Sequence, residues 1–273
     1  MNRLFVAYKP SGLSSNQFLG RLKRRYGVKK AGYSGTLDPF AKGALIVAFG
    51  KYTSLFRFLD KTPKTYRATL WLGAHSETLD IEGVERIDAL APLPQDKVEA
   101  AVASLQGEQH YAPPIFSAKR INGRRAYDLA REGKPVELET IRSTVYAVRM
   151  LHYCHPFVTF EATVSEGTYI RSLGRLVCQR LGLEGGALSM LERLREGQFV
   201  YEHERALDIR TALALPQNRF LGDREALLLG QKLQRDAFEC AENGAYWVDN
   251  GESISLLAFD DEGVHYLLNK VAV

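Results

Sequence analysis

The longest unbroken apolar run in this 273-residue chain is Ala44-Leu45-Ile46-Val47-Ala48-Phe49. That is strand length, far short of the ~18 residues a membrane-spanning helix requires. The remaining apolar residues come in short periodic sets, so the chain must build its core from several brief strands and amphipathic helices. Leu4 to Tyr8 reads as a strand that stops at the Pro10-Ser11-Gly12 turn. Ser14 then stands three before Gln17, a capping-box spacing, ahead of Phe18, Leu19, Leu22 and Tyr26 at helical intervals. Gly27 closes that helix. Thr65 to Leu72 alternates, which places Tyr66, Ala68, Leu70 and Leu72 on one face of a strand.

Further along, Val98, Ala101, Val102 and Leu105 fit a half-buried helix opened by Pro94. Thr144 to Leu151 and Val158 to Val164 read as strands joined through a His155-Pro156 turn. Ile170, Leu173, Val177 and Leu181 form a helix stopped by Gly182. After about residue 200 the apolar runs shorten. Phe238, Tyr246 to Val248, Ile254 to Phe259 and Val264 to Leu268 suggest a small β module, with an acidic turn at Asp260-Asp261-Glu262-Gly263. No regular βαβ rhythm runs through the main body, so the fold class is α+β.

Charge is distributed unevenly. Residues 1–67 carry 14 Lys and Arg against 2 Asp and Glu, whereas residues 201–273 carry 7 against 13. A basic N-terminal block beside an acidic tail fits either a polyanion-binding surface or a solvated basic face. Cys154, Cys178 and Cys240 are odd in number and far apart, which excludes a disulfide framework and a paired-cysteine metal site. The N-terminus lacks the basic-then-apolar layout of a signal peptide. A cytoplasmic protein is expected.

Four stretches carry chemistry. Gly32 to Leu45 surrounds one carboxylate, Asp38, with Gly32, Gly35 and Gly43, and Pro39 fixes the turn that follows it. Ser165 to Leu173 contains Tyr169 and Arg171 where a strand gives way to a helix, a place where anions are held. Lys64-Thr65-Tyr66-Arg67 puts a tyrosine on the apolar face of its strand. Pro113 to Tyr127 is basic and aromatic-bearing, suited to clamping RNA or to a solvated connection. Taken singly, each has an ordinary reading: Asp before Pro starts turns, and Tyr66 belongs to a core.

Their joint order resembles the TruB-type tRNA pseudouridine-55 synthase family. The resemblance runs over roughly the first 200 residues. It takes in Lys9 to Ser15, Gly32 to Leu45, Lys64-Thr65-Tyr66, Leu72-Gly73, Pro113 to Tyr127, Ala130 to Gly133, Gly167 to Arg171 and Leu191 to Leu194. Ala74 to Asp80 is a loose version of the family's Thr/Ser/Asp-rich stretch.

The resemblance implies a catalytic domain over 1–204 on a mixed, largely antiparallel sheet, with an RNA-clamping insertion at about 112–140. A PUA-like C-terminal module would occupy 205–273. It implies that Asp38 is the catalytic carboxylate, Arg171 its ion-pair partner, and Tyr66 the tyrosine that stacks on the target uracil and serves as base at C5. Tyr33, Lys64, Tyr169 and Leu191 would contact substrate. The chain departs from the family at Tyr33 and Ser34, where histidine and threonine are usual. RNA would be gripped by Arg21, Lys23, Arg24, Lys29 and Lys30, and by Lys119, Arg120, Arg124 and Arg125. No metal or organic cofactor is implied. The T-arm of tRNA is the expected partner, with no membrane, no obligate protein partner and a monomeric state. The same chemistry on another RNA, or a tRNA-folding chaperone, remains open.

Overall fold

Local chemistry starts the fold where the spacing of its N-terminal residues places it. The Ser14 hydroxyl accepts from the Gln17 N–H while the Gln17 side chain accepts from the Ser14 N–H, so two of the orphan donors of a helix start are satisfied together. The computed structural model describes residues 1–117, 120, 121, 124, 125, 132 and 138–273. The first half runs β1 (Arg3–Lys9), α1 (Ser15–Arg25), β2 (Ala31–Ser34), β3 (Lys42–Phe49), β4 (Lys64–Leu72), β5 (Ala74–Ser76), β6 (Val84–Ile87) and α2 (Gln95–Ala103). Next come β7 (Gly107–Tyr111), β8 (Arg120–Ile121), β9 (Arg124–Arg125), β10 (Ile141–Cys154), β11 (Phe157–Val164), α3 (Ile170–Arg180), β12 (Gly186–Glu196) and β13 (Phe199–Val200). The tail adds α4 (Ile209–Ala212), α5 (Arg224–Leu229), β14 (Gly244–Asp249), β15 (Ser253–Asp260) and β16 (Gly263–Ala272).

The main sheet is ordered β1-β3-β12-β4-β11-β10-β7, with β2 added to β3 and β13 to β12. Every ladder is antiparallel except the short β3–β12 contact, where Gly43 faces Arg193. The sheet is therefore mixed and largely antiparallel, as expected, and the fold is α+β.

Strand β3 is the pivot. Along one edge it pairs with β1; on the other, β2 covers Ile46 to Phe49 and β12 meets Lys42 and Gly43. The loop bearing Asp38 leaves the sheet where β3 changes partner. Gly43 is required there: at φ +115° a Cβ would lie 2.3 Å from the Arg193 carbonyl oxygen.

One face of the sheet packs on α2 and α3 through Ala68, Leu70, Leu72, Phe160, Val102 and Leu173. Helix α1 buries Phe18 and Leu22 against Phe5 and Phe49. The tail makes a three-stranded sheet in the order β14-β15-β16. Tyr246, Val248, Leu257 and Phe259 form the module's own core, while Trp247, Ile254, Leu256 and Val271 pack with Leu4, Ile46 and Leu55. Residues beyond 204 thus share a core with β1, β3 and the 3₁₀ segment Gly50–Phe58. Among the described residues, no helix is long and apolar enough to cross a membrane.

Candidate active site

The Asp38 loop is pinned from the N-terminus. Ser15 exchanges hydrogen bonds with both backbone groups of Leu37, at 3.0 and 3.1 Å, and the Gly12 N–H donates to the Pro39 carbonyl at 2.8 Å. Lys9, fully buried, donates to the carbonyls of Leu13 at 2.6 Å and Pro10 at 3.0 Å, and more weakly to Pro39 at 3.4 Å. Burial pulls its ammonium down to about 8, and the nearby Asp38 opposes that pull.

Above this loop opens a cleft of about 300 Å³ lined by Asp38, Lys64, Tyr66, Tyr169, Arg171 and Leu191, among others. Six of the seven side chains expected to act on the base therefore meet in one place, from β4, β12, the Asp38 loop and the start of α3. Arg171, in the first turn of α3, lies 3.0 Å from Asp38. Strand alternation accounts for Tyr66: it follows the Ala68–Leu70–Leu72 face and is 9% exposed at the cleft. Tyr169 is set by its backbone N–H, which donates to the Tyr111 hydroxyl at 3.0 Å.

Tyr33 is the exception. Its ring packs with the α1 cluster and its hydroxyl donates to Asn16 at 3.1 Å, because its place on β2, opposite Val47, turns it to that helix and outside the cleft lining. Arg21, Arg24, Lys29 and Lys30 are exposed on or just after α1, and Lys23 is half-buried. Arg25 beside them is paired with Glu204. Lys119 lies outside the described residues, as do the side chains of Arg120, Arg124 and Arg125.

Asp80 is a site residue that sequence reasoning passed over. Its carboxylate, 3% exposed, lies 3.2 Å from the second terminal nitrogen of Arg171. The Thr78 hydroxyl and the Glu82 N–H donate to its other oxygen at 2.6 and 3.0 Å. Arg171 also donates to the carbonyls of Thr78 and Phe116, at 2.7 and 2.9 Å. The hint in the sequence was that Asp80 ends the Ala74 to Asp80 stretch, a loose version of the family's Thr/Ser/Asp-rich segment. Arg171 is thus fixed in plane by four acceptors, and one end of its fork is presented to Asp38.

Arg171 alone would hold an aspartate below its usual range. Here burial wins: it pushes the Asp38 carboxyl up, Asp80 adds to the push, and Arg171 and Lys9 pull the other way. Even so, 34% of the Asp38 side-chain surface remains open to the cleft. A carboxylate with a partly desolvated lone pair, an arginine to steady its charge and an aromatic wall is suited to attack an electrophilic carbon of a flat ring or its sugar.

Residues 23–170 match the family model described as TruB family pseudouridylate synthase (N terminal domain). A Sulfurimonas denitrificans protein named tRNA pseudouridine synthase B is 55% identical, the alignment covering 99% of each chain. The Campylobacter jejuni protein of the same name is 48% identical over the same share of both chains. Among solved structures, a chain of a Cbf5-Nop10-Gar1 complex superposes with a TM-score of 0.67 at 19% identity, covering 98% of this chain and 84% of its own, a likeness of fold.

Proposed function

Because the chain belongs to the TruB family of pseudouridylate synthases, we propose that it converts the T-loop uridine at tRNA position 55 to pseudouridine, with Asp38 as nucleophile. It isomerises uridine in tRNA, as relatives identical at about half of all positions over essentially its whole length are named for doing. The observation that carries the finer reading is the 3.0 Å contact of Arg171 with Asp38 in a cleft that Tyr66 also lines.

The reaction breaks the N1–C1′ bond, turns the uracil, joins C5 to C1′ and releases the C5 proton. No redox step or group donor is needed. Extruding the uridine costs a few kcal/mol, and stacking on Tyr66 returns about 1–3 kcal/mol. Asp38 attacks the anomeric carbon and displaces N1, as carboxylates displace leaving groups in retaining glycosidases, or it adds to C6 of the ring. The bond to Asp38 breaks again when C5 takes its place on C1′ or when the C6 adduct eliminates. Arg171, held by Asp80, keeps the carboxylate charged and aimed. Once C5 has joined C1′, the Tyr66 oxygen takes the C5 proton as its own passes to solvent, and the freed N1 takes a proton from solvent, so the isomerisation balances. Leu191 and Tyr169 exclude water from the ring, while the basic residues of α1 and the loop after it hold the T-arm. The protein acts as a monomer in the cytoplasm, without an obligate protein partner, and residues beyond about 204 form a PUA-like module.

Tritium release from tRNA transcripts carrying C5-tritiated uridine tests this directly. The wild-type chain should release tritium, with product mapping to position 55. Asp38→Asn should release none while RNA affinity stays within roughly tenfold, since shape is kept and the nucleophile is lost. Turnover by Asp38→Asn at a substantial fraction of the normal rate would remove Asp38 from the chemistry.

A further inference from the structure

A second buried ion cluster lines the same cleft and has no part in the steps above. Lys64 opens β4, and the sheet register sets it opposite Glu196 of β12 on one side and Val164 of β11 on the other. Its ammonium lies 3.4 Å from Glu196, and Arg193 reaches that carboxylate at 3.2 Å. Glu196 and Arg193 are each 1% exposed, and neither Glu196 oxygen has a hydrogen-bond partner among the described residues. Among the described residues, two buried cations therefore share one buried carboxylate, leaving one positive charge in excess between them.

The counter-charge is Glu166, 3.6 Å from the Lys64 ammonium. Two residues past Val164, in the turn before α3, it is 62% exposed and also lines the cleft. Placing a carboxylate at the mouth of a cleft that must admit RNA works against the substrate, unless that carboxylate gives way. At 3.6 Å and in solvent it is held weakly, so a stronger anion can replace it.

Resting on the isomerase reading, we infer that Lys64 is the subsite for a phosphodiester flanking the flipped uridine, and that Glu166 is a resident anion which this phosphate displaces. Lys64 and Tyr66 are two apart on one strand face, about 6.6 Å along it. A nucleotide whose base stacks on Tyr66 brings its own phosphate within reach of Lys64. Glu196 stays in place when Glu166 leaves, and keeps the ammonium at the cleft wall.

The test measures T-arm stem-loop RNA binding by fluorescence anisotropy, with every variant on an Asp38→Asn background so that substrate persists. Glu166→Gln should tighten binding roughly two- to fivefold at low salt, the worth of an exposed ion pair, and the gain should shrink as salt rises. Lys64→Met should weaken binding by about tenfold or more, as the loss of a charged hydrogen bond does, and on it Glu166→Gln should gain nothing. Because Lys64→Met leaves a buried glutamate short of a partner and can unfold the chain, a second arm leaves the protein alone. The RNA carries a neutral methylphosphonate at the phosphate 5′ or 3′ of the target uridine. At one of the two positions the Glu166→Gln gain should vanish. A gain that survives both neutral linkages, or survives Lys64→Met, would mean simple long-range repulsion and overturn the subsite; so would unchanged or weaker binding by Glu166→Gln. Tritium release by the unsubstituted chain is run on the same stem-loop. Its absence would sink the isomerase reading and leave this binding result legible.

Discussion

Two arginines are buried in the wall of one cleft, and their surroundings differ in kind. Arg171 spends its guanidinium on four acceptors: Asp38, Asp80 and the carbonyls of Thr78 and Phe116. Its second carboxylate, Asp80, is itself hydrogen-bonded by Thr78 and Glu82. Arg193 also reaches backbone, donating to Ala44 and Gly35 at 2.8 and 2.9 Å, but its carboxylate partner Glu196 is held by charge alone. The first cluster fixes direction and the second fixes only position. Hydrogen bonds to an ion orient it, whereas an ion pair at more than 3 Å tolerates rotation and exchange. The proposed chemistry, which needs an aimed lone pair, draws on the first; the proposed binding, made and broken with each RNA, draws on the second.

If that contrast holds, Arg171→Lys is the most damaging of the changes that separate the clusters. The charge survives but the planar fork is lost, so turnover should fall by roughly 10²–10³, the scale of losing one preorganised electrostatic group. Tritium release under single-turnover conditions reads it. A lysine variant near wild-type rate would show that Arg171 acts by charge alone, and the contrast would collapse.

Glu196→Gln probes the other side. It strands Lys64 and Arg193 without their buried counter-ion and should cost about 3–5 kcal/mol of stability, seen as a lower urea midpoint. Its turnover with saturating RNA should change by less than about tenfold, because Asp38 and Arg171 keep their geometry. An unchanged midpoint with lost turnover would assign Glu196 to the chemistry instead.

The smallest effect is a displacement along the pH axis. On the proposed mechanism Asp38 attacks as the ionised form, and burial together with Asp80 raises its pKa. The acid limb of kcat/KM should therefore lie above the ordinary aspartate value of about 3.9, with activity lost as pH falls through it. Asp80→Asn removes a neighbouring negative charge, so that limb should move to lower pH. A limb that stays put or moves upward would mean that Asp80 acts on Asp38 only through Arg171.

Part of this was legible without coordinates. The capping box at Ser14 and Gln17 starts α1 where the spacing places it, and alternation over Thr65 to Leu72 puts Tyr66 on the core face of β4. Both are local: a capping box needs four consecutive residues, and a pleat has a period of two. The motif around Asp38 and the Gly167 to Arg171 segment were legible through their joint order in the chain, each having an ordinary reading by itself.

What local rules could not supply lies chiefly in β12. Gly186–Glu196 is rich in Leu, Glu, Arg and Met, residues that favour helices, and no strand was read there. It becomes a central strand because β4 pairs along its length and β3 and β13 pair with it as well. Hydrogen bonding to neighbours overrides a propensity worth only tenths of a kcal/mol per residue. That one placement delivers Leu191 and Arg193 to the cleft and sets Glu196 behind them, against Lys64. Asp80 is similar, since it meets Arg171 91 residues away in the chain. Tyr33 shows the converse: its motif position pointed to substrate, but pairing with β3 turned it towards α1. Short spacings by themselves determined where α1, β4 and α3 lie, and the joint order of the motifs carried the resemblance that implies the chemistry. Which side chains stand together around Asp38 was decided only by strand pairing, because those contacts close loops of many tens of residues, and no local pattern encodes which edges will meet.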